Sequence, residues 1–468
     1  MKKIIHPLTR VEGHMKMEIE TASDASGNQT ITNAACAGSL YRGFENILIG
    51  RNPVDAITIT ERICGVCPVV HGITAATALE NASGEQPPKN AKIVRDLMLA
   101  SNFVANHITH FYLLALPDYV AGSQGSFAQE TWSVDMRSDA ALQSIPTHMN
   151  KALEARRKAH EMTAIFGGRM PHPPSIIPGG QTAGLETARV NKFKALLAEV
   201  KAFTRTYFRP DVETLARVYP EYYNIGRGPG NLMCFDVFSH GTNSPLLPGG
   251  YVLDGASTVN KVYTGEIEET TKFAFYTEES GGHPSSGSTT PEYPKDDAYT
   301  WTKAPRYRGL PMECGPLARL WMSGKYRHGI SAMDRMMARL VETELLLTEM
   351  SSWITQGDAS SVHNGFNVPN SAKAFGLTEA PRGAIGHWLS ISEGKISSYQ
   401  VITPTCWNCS PKDASGKHGA LEEALLSVPV TNIDQPIEAL RVVHSFDPCL
   451  DCSVHVMQAD AKEHHIVG

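Results

Sequence analysis

Two pairs of cysteines, one near each end of the chain, are the residues whose type and spacing point most directly to chemistry. The first pair is Cys64 and Cys67, and the second is Cys449 and Cys452. A two-residue spacer lets both sulfurs of a pair point at one ion, and Gly65 permits close backbone approach. Four thiolates form a soft donor set, which suits zinc, an iron–sulfur cluster, or a thiolate-rich nickel or iron centre. The spacing alone leaves these three kinds of site open.

The long stretch of chain between the two pairs argues against a structural zinc ribbon. Zinc ribbons bring their pairs from a stretch of roughly 15–20 residues. Each pair here also has a histidine downstream, His71 and His455, and Asp447 precedes the second pair. A reactive metal needs such groups around its ligands, whereas a structural zinc does not. A four-cysteine zinc site nevertheless stays open as an alternative.

The remaining five cysteines are expected to serve other purposes. Cys406 and Cys409 form a third pair, but they flank Trp407 and Asn408, and we do not expect them to bind a metal. Three cysteines stand alone and are expected to be small buried apolar residues: Cys36, Cys234 and Cys314. Nine cysteines in a chain of 468 residues do not indicate a disulfide scaffold.

Long helices are expected to form the framework that holds the cysteines. Apolar residues recur at helical spacing over residues 90–116, 186–208 and 330–355, and Ser331 is a suitable N-cap for the third helix. Such stripes are typical of the buried faces of a helical bundle. Short strands are expected at residues 15–19, 388–391 and 399–402. The sequence therefore predicts an α+β fold, a central long-helix bundle with peripheral short strands and loops.

Turn-rich stretches separate these elements. Residues 24–28 read as a turn, and the glycines of residues 226–231 match neither phosphate-binding loop pattern. Residues 279–291 have the composition of an exposed loop or an insertion.

Charge and hydropathy restrict the partners. The formal net charge of −6 at pH 7 gives no reason to expect nucleic acid or an anionic membrane. No apolar run reaches the roughly 18 residues that would suggest a membrane span. The N-terminal residues Met1–Pro7 have neither an apolar segment nor a cleavage site behind them, so no signal peptide is predicted. Export together with a partner that has its own signal stays open.

Six segments, in order along the whole chain, resemble the large catalytic subunit of nickel–iron (NiFe) hydrogenases. They include the family's N-terminal motif Arg-x-Cys-Gly-x-Cys-x-x-x-His and its C-terminal motif Asp-Pro-Cys-x-x-Cys-x-x-His. The six segments are Arg10–His14, Arg42–Glu45, Arg62–His71, Pro381–His387, Pro404–Asn408 and Asp447–His455. The resemblance implies that residues 1–455 form one unit in which the two cysteine pairs meet at the centre.

The resemblance also implies the metal ligands. All four cysteines would bind nickel, with Cys67 and Cys452 also bridging to an iron that carries one carbon monoxide and two cyanide ligands. Cys64 and Cys449 would be terminal, and the Cys449 thiolate would accept the proton when dihydrogen splits heterolytically. A magnesium ion would lie near the C-terminus, and its implied ligands are Glu45, the main-chain carbonyl of Val401, and His455.

Further roles follow from the same resemblance. Arg382 would project over the open coordination position, with Asp118 and Asp447 around it; Asp118 departs from the family segment in following Pro117. Glu12 would carry protons away from the terminal cysteine, since burial can raise the proton affinity of a carboxyl group. The remaining expectations concern the diatomic-ligand pocket, lined by Pro381, Pro404 and Thr405, and two histidines near the ligands, His71 and His387.

Electrons from dihydrogen need a way out of the protein. The cysteines left after the ligands are assigned cannot build an iron–sulfur relay. We therefore expect an iron–sulfur small subunit in an obligate heterodimer that could assemble further. The resemblance also implies nickel-insertion factors and an endopeptidase that removes residues 456–468. The resemblance is strongest to the cytoplasmic uptake branch of the family. A chain of that branch could associate with a membrane only through its partners.

Three other functions stay open on the sequence. A hydrogen sensor would use the same site but signal through a partner kinase; the tail after His455 favours the enzyme. A non-catalytic quinone-reductase subunit of the same descent would have lost the four cysteines, which all persist here. A zinc-stabilised scaffold would contain zinc in place of nickel and iron.

Overall fold

Long helices occupy the centre of the molecule. The computed structural model describes residues 1–120, 132–239, 241–242 and 244–450. The α-helices are α1 (Phe44–Leu48), α2 (Asp55–Thr60), α3 (Pro68–Ser83), α4 (Lys89–Thr109), α5 (Ala140–Ser144), α6 (Met149–Gly167), α7 (Thr187–Phe203), α8 (Arg209–Val218), α9 (Pro316–Met322), α10 (Ala332–Trp353), α11 (Pro404–Asn408), α12 (Ala420–Leu425) and α13 (Ile437–Phe446). Helix α4 packs against α6 and α10, and α6 packs against α7, which gives the expected bundle.

The three long helices predicted from periodicity are confirmed. Helix α4 continues as a π-helical turn over His110–Ala115 and a 3-10 turn over Leu116–Asp118, and α7 continues as a π-helical turn over Thr204–Phe208. Ser331 caps α10, because its side chain accepts a hydrogen bond from the Asp334 N–H at 3.0 Å. Helix α4 is buried on nearly every face, so the polar residues it carries must find partners inside the protein.

Strands form one four-stranded sheet, one three-stranded sheet and three small pairs among the described residues. The strands are β1 (Lys2–Leu8), β2 (Met15–Ser23), β3 (Gln29–Gly38), β4 (Ile176–Ile177), β5 (Gly180–Gln181), β6 (Leu232–Cys234), β7 (Gly250–Val252), β8 (Ile267–Thr270), β9 (Ala304–Tyr307), β10 (Ala372–Ala380), β11 (Gly383–Ser392), β12 (Lys395–Ile402) and β13 (Pro429–Val430). The larger sheet has the order β1-β2-β3-β13, and the second has the order β10-β11-β12, both antiparallel. All three predicted strands are confirmed within β2, β11 and β12.

The β10-β11-β12 sheet places two of the expected site residues. Ala380 pairs with Gly383, so Pro381 and Arg382 are the two-residue tip of the β10–β11 hairpin. Strand β12 ends at Ile402, and α11 then begins at Pro404. Helix α3, which follows Cys67, packs on β10 so closely that a Cβ at Gly376 would lie 2.3 Å from the Thr74 carbonyl oxygen. The sheet therefore links the first cysteine pair to both later segments.

One loop expectation is wrong in part. Residues 279–291 do form a loop, but Ser280 and Thr289 are buried in it. Thr289 is buried because its hydroxyl donates a hydrogen bond to the carboxylate of Glu45, on α1.

Candidate metal centre

Three cysteine sulfurs converge in the interior. The Sγ atoms of Cys64, Cys67 and Cys449 all lie within 4.8 Å of one another, and all three residues are buried. Cys64 Sγ and Cys449 Sγ are 3.5 Å apart. No disulfide joins the eight cysteines that the structure describes. Three buried sulfurs at this spacing, none of them oxidised, form a donor set that fits a soft metal ion. The expected fourth ligand, Cys452, lies outside the described residues.

The first pair is held by backbone amides and by a helix terminus. The N–H groups of Val66 and Cys67 both donate to Cys64 Sγ, each at 3.3 Å, which favours the thiolate. Cys67 occupies the N-cap position of α3, where the helix dipole also favours negative charge. Asn102 and Asn106, one turn apart on α4, donate to the Val66 carbonyl at 3.0 and 3.2 Å. The loop is thus fixed to the central helix.

The segment around Cys449 is held from two sides. The Cys449 N–H donates to the Thr405 hydroxyl oxygen at 3.0 Å. The backbone of Glu12 runs parallel to it: the Glu12 N–H donates to the Pro448 carbonyl at 3.3 Å, and the Leu450 N–H donates to the Glu12 carbonyl at 2.7 Å. The expected proton carrier and the expected proton-accepting thiolate are therefore backbone neighbours.

Arg382 lies close enough to these sulfurs to interact electrostatically with all three. Its side chain is 4% exposed, and its Nη1 donates to Asn106 Oδ1 at 3.0 Å. Its Nε lies 3.1 Å from Asp447 Oδ1 but donates its hydrogen to the Asp447 main-chain carbonyl, also at 3.1 Å. Burial alone would lower the pKa of Arg382, but Asp447 and the three thiolates raise it well above its ordinary value. The guanidinium is therefore a permanent cation beside the sulfurs.

Asp447 combines strain with an unsatisfied oxygen. It follows α13 in the left-handed region, with φ of 56°, which a non-glycine residue adopts only where the surroundings enforce it. Burial would raise the pKa of its carboxyl, but Arg382, His110 and Arg339 hold it below the ordinary value. Its Oδ1 accepts no hydrogen bond from any described residue. That oxygen is ionised, buried and available to another donor.

Asp118 does not share this arrangement. Its carboxylate accepts from Arg10 Nη2 and from His444 Nδ1, both at 2.5 Å. His444 Nε2 lies 3.0 Å from the Thr9 carbonyl, so the ring joins the Asp118 carboxylate to the N-terminal segment. Burial would raise the pKa of Asp118, but His444 and Arg10 lower it. The structure thus brings Asp447 to Arg382, whereas the described contacts of Asp118 tie the N-terminal segment to α13.

Two of the three expected magnesium ligands lie together. Glu45 Oε1 accepts from the Val401 N–H at 2.8 Å, and both residues are buried. The other carboxylate oxygen accepts from Thr289. His455 lies outside the described residues. A carboxylate beside a main-chain segment offers the oxygen donors that magnesium prefers.

The two expected histidines contact each other. His71 Nδ1 is 3.2 Å from His387 Nε2, and His387 Nδ1 is 2.9 Å from the Tyr399 hydroxyl. Burial lowers the pKa of His71 to about 4, so that ring is neutral at pH 7. The two rings and the Tyr399 hydroxyl form a buried chain between α3 and β11–β12.

The three residues expected to line a diatomic-ligand pocket are all buried at the site. Pro381 is beside Arg382 at the hairpin tip, and Pro404 begins α11. Because the Thr405 oxygen accepts from Cys449, the hydroxyl hydrogen of Thr405 is available to another acceptor.

The third cysteine pair has a different environment. Cys406 and Cys409 are buried in α11 and at its end. Burial raises the pKa of Cys406 to about 12 and that of Cys409 further, which keeps both as neutral thiols.

Several residues that position the site were missed in the sequence. Asn106 contacts both the first cysteine loop and Arg382, and Arg10 and His444 hold Asp118. The signal for Asn106 was present: Asn102, Asn106 and His110 recur every four residues along the buried C-terminal half of α4 and the turn that follows it. Arg10 lies within one of the quoted motifs, but no local pattern identifies its partner 108 residues away.

The comparisons with known proteins agree along the whole chain. A family profile described as nickel-dependent hydrogenase matches residues 42–124 and 121–455. The chain is 37% identical to the periplasmic NiFeSe hydrogenase large subunit of Desulfomicrobium baculatum, over all of this chain and 97% of that protein. It is 31% identical to the uptake hydrogenase large subunit of Bradyrhizobium diazoefficiens, over 98% and 96%. The oxidised Ni-Fe-Se hydrogenase of D. vulgaris Hildenborough superposes with a TM-score of 0.92 at 34% identity, over 97% of this chain and 100% of that one.

Proposed function

Because this chain belongs to the nickel-dependent hydrogenase family, we propose that Cys64, Cys67, Cys449 and Cys452 hold the nickel–iron centre at which it cleaves dihydrogen. The chain is a hydrogenase large subunit, an oxidoreductase that acts on dihydrogen. The observation that supports the ligand set is the convergence of three buried sulfurs from opposite ends of the chain. The names of some relatives include selenium, whereas all four proposed ligands here are cysteines.

The protein's own groups handle the proton. A nickel–iron centre, when bound, supplies an open, redox-active coordination position for dihydrogen. The Cys449 thiolate is the base that accepts the proton, and Glu12, whose backbone pairs with the Cys449 segment, takes it onward through its carboxylate. Arg382 supplies fixed positive charge beside the sulfurs, held by Asn106 and Asp447, so that charge changes during the reaction need little reorganisation.

The remaining ligands of the centre extend the proposal. The iron would carry one carbon monoxide and two cyanide ligands; Pro381 and Pro404 would line their pocket, and the Thr405 hydroxyl could donate a hydrogen bond to a cyanide. Magnesium would bind Glu45, the Val401 carbonyl and His455, and would retain several waters. The Glu45–Val401 contact supports that location.

Metal analysis of the purified complex tests the ligand set. We expect nickel and iron in the wild type and loss of nickel in Cys64→Ser. Cys234→Ser is the matched control, since Cys234 is equally buried but belongs to none of the motifs. Infrared bands from carbon monoxide and cyanide should accompany the nickel. Zinc alone in the wild type, or nickel retained in Cys64→Ser, would refute the assignment.

The partner follows from the relatives. Those named large subunits imply a small subunit, and we propose that it carries the iron–sulfur clusters that receive the electrons. Affinity purification of the tagged chain should recover this subunit. The purified complex should contain sulfide, and more iron than the nickel–iron site accounts for. An active chain that is stable alone would contradict the obligate heterodimer.

Maturation is the next element of the proposal. We propose that nickel-insertion factors load the site and that an endopeptidase then cuts after His455, removing residues 456–468. Mass spectrometry of active protein should show the shortened chain. Full-length active protein would contradict the cleavage.

The compartment and the alternative function can also be addressed. No helix in the described part of the chain is long and apolar enough to cross a membrane. We propose a cytoplasmic location, in contrast to the periplasmic relative, and fractionation of cells that produce both subunits decides between them. The hydrogen-sensor alternative is not favoured, because the relatives are named as hydrogenases, including uptake enzymes.

A further inference from the structure

A second buried arginine, Arg319, lies at the base of the hairpin that carries Arg382. Arg319 is on α9 and is 0% exposed. Its Nη1 donates to the Ala380 carbonyl and its Nη2 to the Pro381 carbonyl, both at 3.0 Å. These are the two peptide groups that immediately precede Arg382. The position of the hairpin tip therefore depends directly on this guanidinium.

Two carboxylates fix the guanidinium in turn. Glu342, on α10, accepts from Nε and Nη2 of Arg319, both at 2.7 Å, and Glu379, at the end of β10, accepts from Nη1 at 2.7 Å. All three side chains are fully buried. Burial would raise the pKa of Glu342, but Arg319 and His107 lower it to about 2, so this carboxylate is ionised. Five acceptors in fixed directions match the planar fork of an arginine and not a lysine.

Helix α4 connects Arg319 and its two carboxylates to the side chain of Arg382. His107 Nε2 is 2.7 Å from Glu342 Oε2, while the preceding residue, Asn106, accepts from Arg382. The hairpin tip is also packed tightly against the start of α9. A Cβ at Gly383, whose φ is 139°, would lie 2.6 Å from Cys314 Cβ and 2.8 Å from the Gly315 nitrogen. The backbone of Arg382 is thus held by Arg319 and α9, and its side chain by Asn106.

We infer that Arg319 is a positioning residue for the hydrogenase reaction, which sets the reach of the Arg382 guanidinium over the cysteine sulfurs by holding the Ala380 and Pro381 carbonyls. This inference rests on the proposed role of Arg382. Arg319 itself contacts none of the described cysteine ligands through a hydrogen bond or ion pair in the described residues. A displacement of a reactive group by about 1 Å can cost about 100-fold in rate, so the hold on the hairpin has kinetic consequences.

The test compares Arg319→Lys with a matched control, Arg95→Lys. Arg95 has a similar pattern with one carboxylate fewer: it binds Glu80 at 3.0 and 2.7 Å and the carbonyls of Ile177 and Gly180 at 2.9 Å. It holds a different loop. Both variants are purified with the small subunit, and kcat is expressed per bound nickel.

We expect about a 30-fold loss of kcat in Arg319→Lys, with KM unchanged, and less than a twofold loss in Arg95→Lys. Backbone amide hydrogen exchange in residues 380–386 should become faster in Arg319→Lys alone. In an Arg382→Lys background, adding Arg319→Lys should cause no further loss, because the first residue acts through the second.

Additive losses in the double variant, or unchanged exchange in residues 380–386, would overturn the inference. If Arg382→Lys alone keeps full kcat, the proposed role of Arg382 fails, whereas the exchange data still report on the hold on the hairpin. Glu379→Gln covers the case in which Arg319→Lys does not assemble. Glutamine keeps the shape of the Glu379 side chain, and we expect faster amide exchange in residues 380–386 with about a threefold loss of kcat. Unchanged exchange in Glu379→Gln would also contradict the inference.

Discussion

Arg319 and Arg382 are both fully enclosed by protein, yet their surroundings differ. Arg319 faces two carboxylates and two carbonyls, and its charge is neutralised where it stands. Arg382 faces one carboxylate and three cysteine sulfurs. A buried guanidinium whose donors are all occupied by fixed acceptors holds structure, whereas one that lies beside the proposed metal ligands can respond to charge that changes there. The residue type alone does not distinguish these two roles.

The same contrast separates the carboxylates. Glu342 accepts three hydrogen bonds from Arg319 and His107. Asp447 keeps one oxygen without a hydrogen bond from the described residues. We therefore expect changes on the Arg319 side to act mainly on geometry and stability, and changes on the Arg382 side to act mainly on turnover.

The largest effect should come from Arg382→Lys. A lysine keeps the charge but loses the fork that reaches Asn106 and Asp447 together, and we expect kcat to fall roughly 500-fold at unchanged nickel content. The thermal midpoint should change little. If Arg382→Lys instead lowered the thermal midpoint and left kcat per nickel unchanged, Arg382 would be a structural residue, and its contrast with Arg319 would not hold.

Asp118→Asn should act mainly on stability. It leaves Arg10 and His444 without their buried anion, and we expect a loss of about 3 kcal/mol at pH 7. Because the pKa of Asp118 is lowered on folding, its contribution exists above the ordinary value of 3.8 and disappears as the pH falls through the folded value. Thermal midpoints from pH 3 to pH 7 should therefore converge for the two proteins at the acid end. An equal difference at every pH would show that the charge is not the cause.

Glu12→Gln should slow proton removal without loss of the metal. We expect about a 100-fold lower kcat, with Glu12→Asp recovering part of it, since a shorter carboxylate can still carry a proton. A full rate in Glu12→Gln would show that protons leave by another route.

The smallest effect should come from Glu61→Gln. Glu61 is buried, its Oε1 accepts no hydrogen bond from the described residues, and burial raises its pKa from 4.5 to about 8. A raised carboxyl pKa gives stability that is present below 4.5 and is lost as the pH rises towards 8. Glutamine mimics the protonated form, so the variant should become more stable than wild type by about 1 kcal/mol at pH 8.5, with kcat unchanged. A pH-independent difference would contradict this account.

Much of the fold could be predicted from local patterns in the sequence. Three long helices, the N-cap at Ser331 and three strands follow from periodicity and capping chemistry, which act over a few residues. The assignment of Cys64, Cys67 and Cys449 to a nickel–iron site depended on the resemblance of the motifs, because the cysteine spacing alone left a zinc site open.

Other features depend on partners far along the chain. Thr289 was expected in an exposed loop, but it meets Glu45, 244 residues away. Asp118 was expected around Arg382, but its described partners are Arg10 and His444. The role of Arg319 was invisible, because an arginine on a short helix gives no sign that its acceptors are backbone carbonyls 61 and 62 residues downstream. Cys452 and His455 stay predictions, since they lie outside the described residues.

The parallel bridge between Glu12 and Cys449 has a consequence for biosynthesis. A ribosome releases Cys64 and Cys67 long before it has translated Cys449, and closing such a long loop is entropically costly. The nascent chain therefore contains only the first of the two cysteine pairs for most of its translation. The proposed set of four cysteine ligands is complete only after translation has passed Cys452, so the early thiolates have to stay reduced and free of competing zinc until then.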